Sequence, residues 1–323
     1  MALLEVDDLQ VSFDTAAGRI LALNGVSFSL ERGEVLALVG ESGSGKSVTA
    51  SAIMDLVPNP PGAINDGSIR FDGAELLQLS RNDRRDLCGA RIGLIFQDAL
   101  AALNPVYPVG WQIAEMFRIH GRNPEGGVEK AVIDLLTAIG IPDPQRRARQ
   151  YPHEFSGGMR QRIMIAMAVA LEPDVIIADE PTTALDVTIQ AQVVDLLANI
   201  RKRSDAGMIF ITHDLGVVAE LADRVAVMYA GRIVETAGVF ELFADARHPY
   251  TVGLLASQPR MDTDERELVP IPGSAPNPVS LPSGCAFRTR CPRAEELCAE
   301  VVPELETVGP GRKAACHFPV SPA

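Results

Sequence analysis

A phosphate-binding pattern that directly follows a buried strand constrains the fold of this chain more than any other feature. Residues 35–39 are all apolar, which predicts a strand covered on both faces, and residues 40–47 fit the pattern G-x-x-x-x-G-K-[ST]. The glycines let successive backbone N–H groups turn toward an anion, and a helix that begins after the loop adds the positive end of its dipole. In this pattern Lys46 reaches the β- and γ-phosphates and the Ser47 hydroxyl ligates Mg²⁺.

Further strands and helices indicate the α/β class. Residues 175–178 and 208–212 predict two more buried strands, and helical spacing of apolar residues separates them. Short segments of alternating polarity in the first thirty residues predict additional strands. Strands that alternate with helices are typical of a parallel sheet. From about Arg260 prolines become frequent and regular periodicity is lost, so we place a domain boundary there.

Composition excludes several classes of function. The chain has 29 Lys+Arg against 42 Asp+Glu, a formal net charge of −13. Tight binding to nucleic acid needs a basic face, so we expect no nucleic-acid partner. The longest apolar run, residues 163–171, is far too short to span a membrane. The first residues lack the basic start and apolar stretch of a signal peptide, so we expect a cytosolic chain.

A second group of residues is suited to phosphoryl transfer. Asp179 and Glu180 follow the strand at 175–178, where a carboxylate can hold Mg²⁺ and its neighbour can activate a water molecule. Taken alone, such a pair is better explained as a solvated strand end, but together with the phosphate loop the functional interpretation is favoured. Ser156, Gly157 and Gly158 begin a helix and form a second candidate anion site.

These features occur in the order typical of one family, and the chain resembles an ABC-type ATPase over about its first 250 residues. The matching positions are Phe13, the phosphate loop, Gln97, the Ser-Gly-Gly segment, Asp179-Glu180, Asp186 and His213. The resemblance implies a P-loop NTPase core with an N-terminal antiparallel β subdomain, an inserted helical subdomain and a Cys/Pro-rich C-terminal extension. We assign the ATPase domain to residues 1–258, the helical subdomain to about 99–170 and the extension to 259–323.

The resemblance also implies a role for each matching residue. Phe13 stacks on adenine, with ordinary strand core as the alternative. Gln97 senses the γ-phosphate and the metal and lies where the ATPase meets its membrane partner, with a plain surface residue as the alternative. Glu180 is the general base, His213 contacts the γ-phosphate, and Ser47, Gln97 and Asp179 hold Mg²⁺. The phosphates are bound by Gly40, Glu41, Ser42, Gly43, Ser44, Gly45, Lys46, Ser47 and Val48. ATP held on an opposite subunit is contacted by Ser156, Gly157, Gly158 and Asp186.

The signature departs from the family pattern at one position. Many members read Leu-Ser-Gly-Gly-Gln, whereas this chain has Met159 after Gly158. The Ser-Gly-Gly that touches phosphate is intact and Glu180 and His213 are both present, so we expect hydrolysis. There are two competing functions: a soluble ABC ATPase that acts on DNA or ribosomes, and a non-catalytic assembly subunit. The presence of one cassette and the negative net charge argue against the first. The presence of Glu180 and His213 argues against the second.

Segments beyond the core resemble the oligopeptide/dipeptide/nickel importer family. They include residues 98–106, residues 179–188 and three tail segments at 248–251, 271–276 and 284–288. The resemblance implies import of peptides, with nickel or another small solute as the alternative. It also implies a second homologous ATPase subunit, with a heterodimer favoured over a homodimer. Two transmembrane permease subunits, an extracytoplasmic solute-binding protein and a position at the cytoplasmic face of the cell membrane follow from it.

Four of the five cysteines lie close together near the end of the chain. Cys285, Cys291, Cys298 and Cys316 have five, six and seventeen residues between successive members, which is not the paired C-x-x-C spacing of zinc ribbons. Four thiolates suit a soft metal, and the spacing alone leaves a [4Fe–4S] cluster, zinc and free thiols open. The family resemblance favours the iron–sulfur cluster. We expect Cys88 to be an ordinary buried thiol, and His317 is a possible alternative ligand.

Overall fold

The structure is a computed structural model that describes residues 2–183, 185–257 and 270–321. Its contacts divide the chain into a first unit, residues 31–34 and 78–211, and a second unit, residues 2–30, 35–77 and 212–323. The described C-terminal residues belong to the same unit as the phosphate loop. The expected boundary at 258–259 lies outside the described residues. In the described part of the chain no helix is long and apolar enough to cross a membrane.

The first unit combines a parallel sheet with a helical region. Its strands β6 (Ile92–Ile95), β7 (Val175–Asp179) and β8 (Gly207–Thr212) pair in that order, all parallel. The elements that lie in it are α2 (Arg81–Leu87), β6 (Ile92–Ile95), α3 (Ala99–Ala102), α4 (Val109–Ile119), α5 (Val128–Ala138), α6 (Pro144–Arg147), a 3₁₀ turn (Pro152–Glu154), α7 (Gly157–Val169), β7 (Val175–Asp179), α8 (Val187–Ser204) and β8 (Gly207–Thr212), whose last residue is counted in the second unit.

The helices of the first unit share a core of their own. Apolar side chains of α4, α5 and α7, among them Ile113, Leu136 and Ile163, are buried against one another. This follows from the helical spacing of apolar residues, which gives each helix one face to bury. The helices from α3 to α7 lie between residues 99 and 169.

The second unit contains the N-terminal antiparallel sheet and the strands around the phosphate loop. Its elements are β1 (Leu4–Thr15), β2 (Gly18–Leu30), β3 (Val35–Val39), α1 (Lys46–Ile53), β4 (Gly62–Phe71), β5 (Ala74–Glu75), a 3₁₀ turn (Leu76–Gln78), α9 (Leu215–Leu221), β9 (Arg224–Tyr229), β10 (Arg232–Gly238), α10 (Val239–Ala244), α11 (Pro249–Ala256), α12 (Leu297–Glu300), β11 (Glu306–Gly309) and β12 (Arg312–Ala314).

Two sheets organise this second unit. One is antiparallel, in the order β2–β1–β4–β5. In the other, β3 pairs parallel with β9, and β10, β12 and β11 continue it in antiparallel fashion. The C-terminal strand β12 pairs through Ala314 with Glu235 of β10. The cysteine-bearing segment is therefore built onto the sheet that carries the phosphate loop.

Candidate nucleotide and thiol sites

The phosphate loop leaves β3, in which every residue is buried, and enters α1 at Lys46. Gly40 and Gly45 adopt φ of +154° and +108°, which L side chains rarely accept. A Cβ on Gly40 would lie 2.2 Å from the carbonyl oxygen of Met228, and one on Gly45 would lie 2.8 Å from the Leu23 side chain. The pattern thus requires glycine at these positions for both conformation and space.

Two side chains give the loop its charge and donors. Lys46 is buried, and its ammonium donates to the carbonyl oxygens of Gly40 at 2.8 Å and Glu41 at 3.0 Å. The Ser44 hydroxyl is buried and, among the described residues, has no hydrogen-bond partner. A buried hydroxyl without a partner is costly, and a bound phosphate oxygen would satisfy it. These residues fit the binding of a phosphate group.

The carboxyl end of β7 gathers the residues predicted for catalysis in the first unit. Glu180 follows Asp179 and has a φ of 46°, a conformation that strains a residue other than glycine. Its backbone N–H donates to the carbonyl of Ile211 at 2.9 Å. Its carboxylate accepts hydrogen bonds from Gln97 Nε2 at 3.2 Å and Thr183 Oγ1 at 2.9 Å. The structure therefore brings Gln97 to Glu180, as one site requires.

Two further predicted contacts of the nucleotide, His213 and Phe13, lie in the second unit. His213 follows β8 and is exposed, and the next residue, Asp214, begins α9 by accepting from Gly216 N–H at 2.9 Å. Phe13 is half-buried on β1, beside Gly62, where an added Cβ would lie 2.7 Å from the ring. The partly open ring leaves surface available for a base to stack on.

The signature segment and the loop at Asp186 meet within the first unit. Ser156 is the N-cap of α7, with its hydroxyl accepting from Met159 N–H at 3.4 Å, and Asp186 caps α8 by accepting from Ile189 N–H at 3.0 Å. A Cβ on Gly158 would lie 2.6 Å from Cγ2 of Ile189. The glycine therefore allows the start of α7 to lie directly against the start of α8.

The four C-terminal cysteines line one small cavity of about 10 Å³. Cys298 is buried and the other three are half-buried. A backbone hydrogen bond joins two of them, since Cys285 N–H donates to the carbonyl of Cys298 at 2.8 Å. Cys88 lies in the first unit and is half-buried rather than buried. His317 Nε2 bonds to the carbonyl of Val301 at 2.9 Å, so that nitrogen already has a partner.

The electrostatics of the cavity disfavour free thiolates. Burial raises the pKa of Cys285, Cys291 and Cys316, the last to about 11, and the charges of neighbouring cysteines raise each pKa further. A metal cation would offset the repulsion between the four thiolates, because thiolates bind metals in their anionic form. Within the ranges that the structure describes, no group of three or more His, Cys, Asp or Glu side chains is arranged to hold a single metal ion.

Comparison with known proteins identifies the family. Residues 23–183 match the family described as ABC transporter, and residues 234–298 match the C-terminal region of oligopeptide/dipeptide transporters. The oligopeptide transport ATP-binding protein OppD of Bacillus subtilis is 53% identical over 304 residues, covering 94% of this chain and 85% of that protein. The chain belongs to the oligopeptide/dipeptide branch of the ABC transporter ATPases. The dipeptide transport ATP-binding protein DppD of Escherichia coli is 45% identical and covers 100% of this chain and 98% of its own length.

Solved structures show the same fold. A Clostridium perfringens protein that is part of an ABC transporter complex superimposes with a TM-score of 0.63 at 29% identity, covering 75% of this chain and 91% of its own. A dimeric ATP-binding cassette bound to ADP and Pi superimposes with a TM-score of 0.65 at 24% identity, covering 73% of this chain and 98% of its own. The predicted α/β fold with a P-loop NTPase core is confirmed.

Membership of this branch confirms the enzyme class as well. ATP hydrolysis is characteristic of ABC transporter ATPases, so the chain is an ATPase whose expected ligands are ATP and Mg²⁺. It implies membrane permease partners and dimerisation of the ATPase. The roles assigned to individual residues, and the iron–sulfur cluster, stay predictions.

Sequence reasoning missed one residue of this ABC transporter ATPase's candidate catalytic centre. Thr183 donates to the carboxylate of Glu180, although the sequence analysis assigned it no role. Its position three residues after a candidate general base is a signal that could have found it. The structure also accounts for Met159, which packs against the helical core of the first unit and so has a structural reason to be apolar.

Proposed function

We propose that this chain is the ATP-hydrolysing subunit that powers import of di- and oligopeptides across the cell membrane. The observation that carries the catalytic part is the pair of hydrogen bonds from Gln97 and Thr183 to the carboxylate of Glu180 at the end of β7. The peptide substrate is supported by the oligopeptide and dipeptide transport proteins to which the chain is similar along nearly its whole length. Transport of nickel or another small solute is not favoured by these relatives.

In this proposal the phosphate loop binds ATP and Glu180 activates the attacking water. Lys46 and the backbone of residues 40–48 hold the phosphates, and Phe13 stacks on the base. Ser47, Gln97 and Asp179 would hold Mg²⁺, which would supply positive charge to offset that of the β- and γ-phosphates. Glu180, oriented by two hydrogen-bond donors, accepts the proton of the water, and His213 contacts the γ-phosphate. The buried hydroxyl of Ser44 and the space left by Gly40 support phosphate binding here.

We further propose that ATP is bound between two ATPase subunits. Ser156, Gly157, Gly158 and Asp186 would contact ATP held by the opposite subunit, because a helix N-terminus is an anion site and α7 begins with exposed Ser156 and Gly157. A second, homologous ATPase is favoured over a second copy. Two transmembrane permeases and an extracytoplasmic solute-binding protein complete the complex, at the cytoplasmic face of the membrane.

For the C-terminal cysteines we propose a structural [4Fe–4S] cluster, with zinc and free thiols as the alternatives. All four thiols line one cavity, and thiolates are the ligands of such clusters. The side chains are not arranged around a single ion within the described residues. A cluster spaces its thiolates more widely than one ion does, because irons and sulfides lie between them. The cluster would hold together a proline-rich segment with little regular structure of its own.

The complex itself provides the test of this function. The chain would be affinity-purified from detergent-solubilised membranes of its own host, and the co-purifying proteins identified by mass spectrometry. We expect two permeases and a second ATPase, and we expect the reconstituted complex to take up a labelled peptide only with ATP. Co-purification of ribosomes or DNA without permeases would contradict the proposal. Uptake of nickel but not of peptides would contradict the substrate class alone.

A further inference from the structure

An ion pair joins the cysteine-bearing segment to the phosphate loop within the second unit. Arg290 donates from Nη1 to one carboxylate oxygen of Glu41 at 2.7 Å and from Nη2 to the other at 2.9 Å. The side chain of Arg290 is 5% exposed and that of Glu41 is 29% exposed. Two parallel charge-assisted bonds fix the direction of the carboxylate as well as its distance. The position of Glu41 is therefore set by a residue 249 positions further along the chain.

Both partners of this ion pair are held by further contacts. Arg290 Nε donates to the carbonyl of Pro272 at 2.9 Å, and its guanidinium lies 5.9 Å from the ring centre of Tyr229. The backbone N–H of Glu41 donates to the hydroxyl of Tyr250 at 2.9 Å. Glu41 is thus anchored through its side chain and its backbone, in both cases by residues beyond position 212.

The anchored residue is part of the machinery that binds phosphate. The carbonyl of Glu41 accepts a hydrogen bond from the Lys46 ammonium, so a shift of Glu41 moves an anchor of the lysine. On the other side, Arg290 precedes Cys291, which lines the thiol cavity. The residue that positions the phosphate loop is therefore directly bonded to a cysteine of the thiol site, so a change at that cysteine can move it.

We propose that Arg290 is a positioning residue that couples the four-cysteine segment to nucleotide binding. It holds Glu41 and, through it, the phosphate loop in the conformation that binds ATP. Because coupling between two sites is reciprocal, ATP bound at the loop protects the four thiols, and disruption of the thiol site weakens ATP binding. The inference rests on the nucleotide site proposed above and not on the identity of the group held by the cysteines.

The test uses the full chain with Cys88→Ser, so that the cysteines that remain, with or without a bound metal, are the four of the cavity. Arg290→Gln should raise the dissociation constant and the KM for ATP at least about fivefold, with a smaller change in kcat. ATP should slow the reaction of the four thiols with an aromatic disulfide reagent, and this protection should be lost in Arg290→Gln. A loss of stability alone would not remove the effect of ATP on thiol reactivity.

Matched variants separate coupling from general damage. Glu41→Gln should raise the KM for ATP as much as Arg290→Gln does. The double variant should have no higher KM than either single variant, because both substitutions remove the same ion pair. Arg312, in the same C-terminal segment, forms a comparably buried ion pair with Asp245, and Arg312→Gln should leave the KM for ATP unchanged.

Wild-type ATP affinity in Arg290→Gln, or undiminished protection of its thiols by ATP, would overturn the inference. If Arg290→Gln does not fold, the same outcomes in Glu41→Gln decide it. Absence of hydrolysis in the wild type would contradict the proposed function, while ATP binding and thiol rates still decide this inference.

Discussion

The side-chain amide of Gln97 donates a hydrogen bond to the carboxylate of Glu180, with Nε2 and Oε2 3.2 Å apart. The two residues follow neighbouring parallel strands, β6 and β7, whose carboxyl ends lie at the same edge of the sheet. The residue proposed to sense the γ-phosphate and the residue proposed to activate water therefore share a hydrogen bond. If these roles hold, a movement of Gln97 changes the orientation of the general base.

Glu180→Gln should retain ATP binding and lose turnover. The amide keeps the size of the side chain but cannot accept the proton of the attacking water, so hydrolysis should fall about 10²- to 10⁴-fold. Phosphate release and ATP binding by calorimetry measure the two effects separately. Glu172→Gln is the control, because Glu172 is an exposed residue of the same unit that also has a positive φ, 54°. Sustained hydrolysis in Glu180→Gln would contradict the general-base assignment.

Thr183→Val should lower kcat about tenfold with little change in the KM for ATP. Valine keeps the branched shape but removes the hydroxyl that donates to Glu180 at 2.9 Å, and a bond to a charged group contributes about 1.5–3 kcal/mol. Steady-state kinetics of phosphate release give both parameters. Thr183→Ser keeps the donor and should retain most of the activity. Equal kcat values for the valine variant and the wild type would show that the hydroxyl does not orient the base.

Gly158→Ala should destabilise the chain by about 1–3 kcal/mol, because the new methyl would overlap Ile189 in a packed contact. Gly157→Ala adds the same methyl one residue earlier, where no other atom lies within 4 Å, so its stability should equal or exceed that of the wild type. Urea denaturation compares the two variants. Ile189→Ala in the Gly158→Ala background should restore part of the loss. Equal stability of the two alanine variants would contradict the packing argument.

The sequence predicted the elements whose pattern is local. The strands at 175–178 and 208–212 occur within a residue or two of their expected bounds, and a helix begins directly after the phosphate loop as expected. The first short segments of alternating polarity near the N-terminus belong to one continuous strand, β1, in which the pairing shifts register between Val6 and Leu9. Asp8, with a φ of 46°, lies in that irregularity, so the alternation of polarity is broken while the strand continues.

Long-range pairing was beyond the sequence pattern. The proline-rich tail has no periodicity, yet its strand β12 pairs with β10. The pairing could not be predicted, because a short contact such as that of Glu235 with Ala314 leaves no local signal in the sequence. The same reason hides the ion pair of Glu41 with Arg290. The phosphate loop, by contrast, is a contiguous motif in which spacing alone identifies Lys46 and Ser47. Glu180 was found from its place after a buried strand, and Thr183 was missed because its role depends on a side-chain direction.

Acid should destabilise the second unit through His248. Burial lowers the pKa of this imidazole to about 4 from its usual 6.5, and its Nδ1 accepts a hydrogen bond from Tyr250 N–H at 3.0 Å as the N-cap of α11. The folded chain keeps the ring neutral while the unfolded chain protonates it below about pH 6.5. The resulting stability is complete above that pH and is lost as the pH falls toward 4, by about 2 kcal/mol between pH 7 and pH 5.

His248→Asn provides the comparison, because asparagine is a good N-cap that does not titrate. Urea denaturation at pH 7 and pH 5 should show a smaller loss of unfolding free energy in the variant than in the wild type. Burial raises the pKa of nearby Glu235, which acts in the opposite direction, but that carboxylate is present in both proteins. Identical losses in the two proteins would contradict a buried neutral histidine.

The cysteine cavity should hold iron and sulfide when the protein is purified without oxygen. Four thiolates around one cavity supply the complete ligand set of a [4Fe–4S] cluster, so we expect a brown protein with about four iron and four sulfide per chain. Cys291→Ser should lose the visible absorption and the metal, whereas Cys88→Ser, which changes a thiol of the first unit, should keep both. A protein that contains zinc instead would support the single-ion alternative, and a colourless protein free of both metals would leave four reduced thiols. Because a structural cluster contributes to folding, chelation of the iron should lower the melting temperature of the wild type and leave Cys291→Ser unchanged.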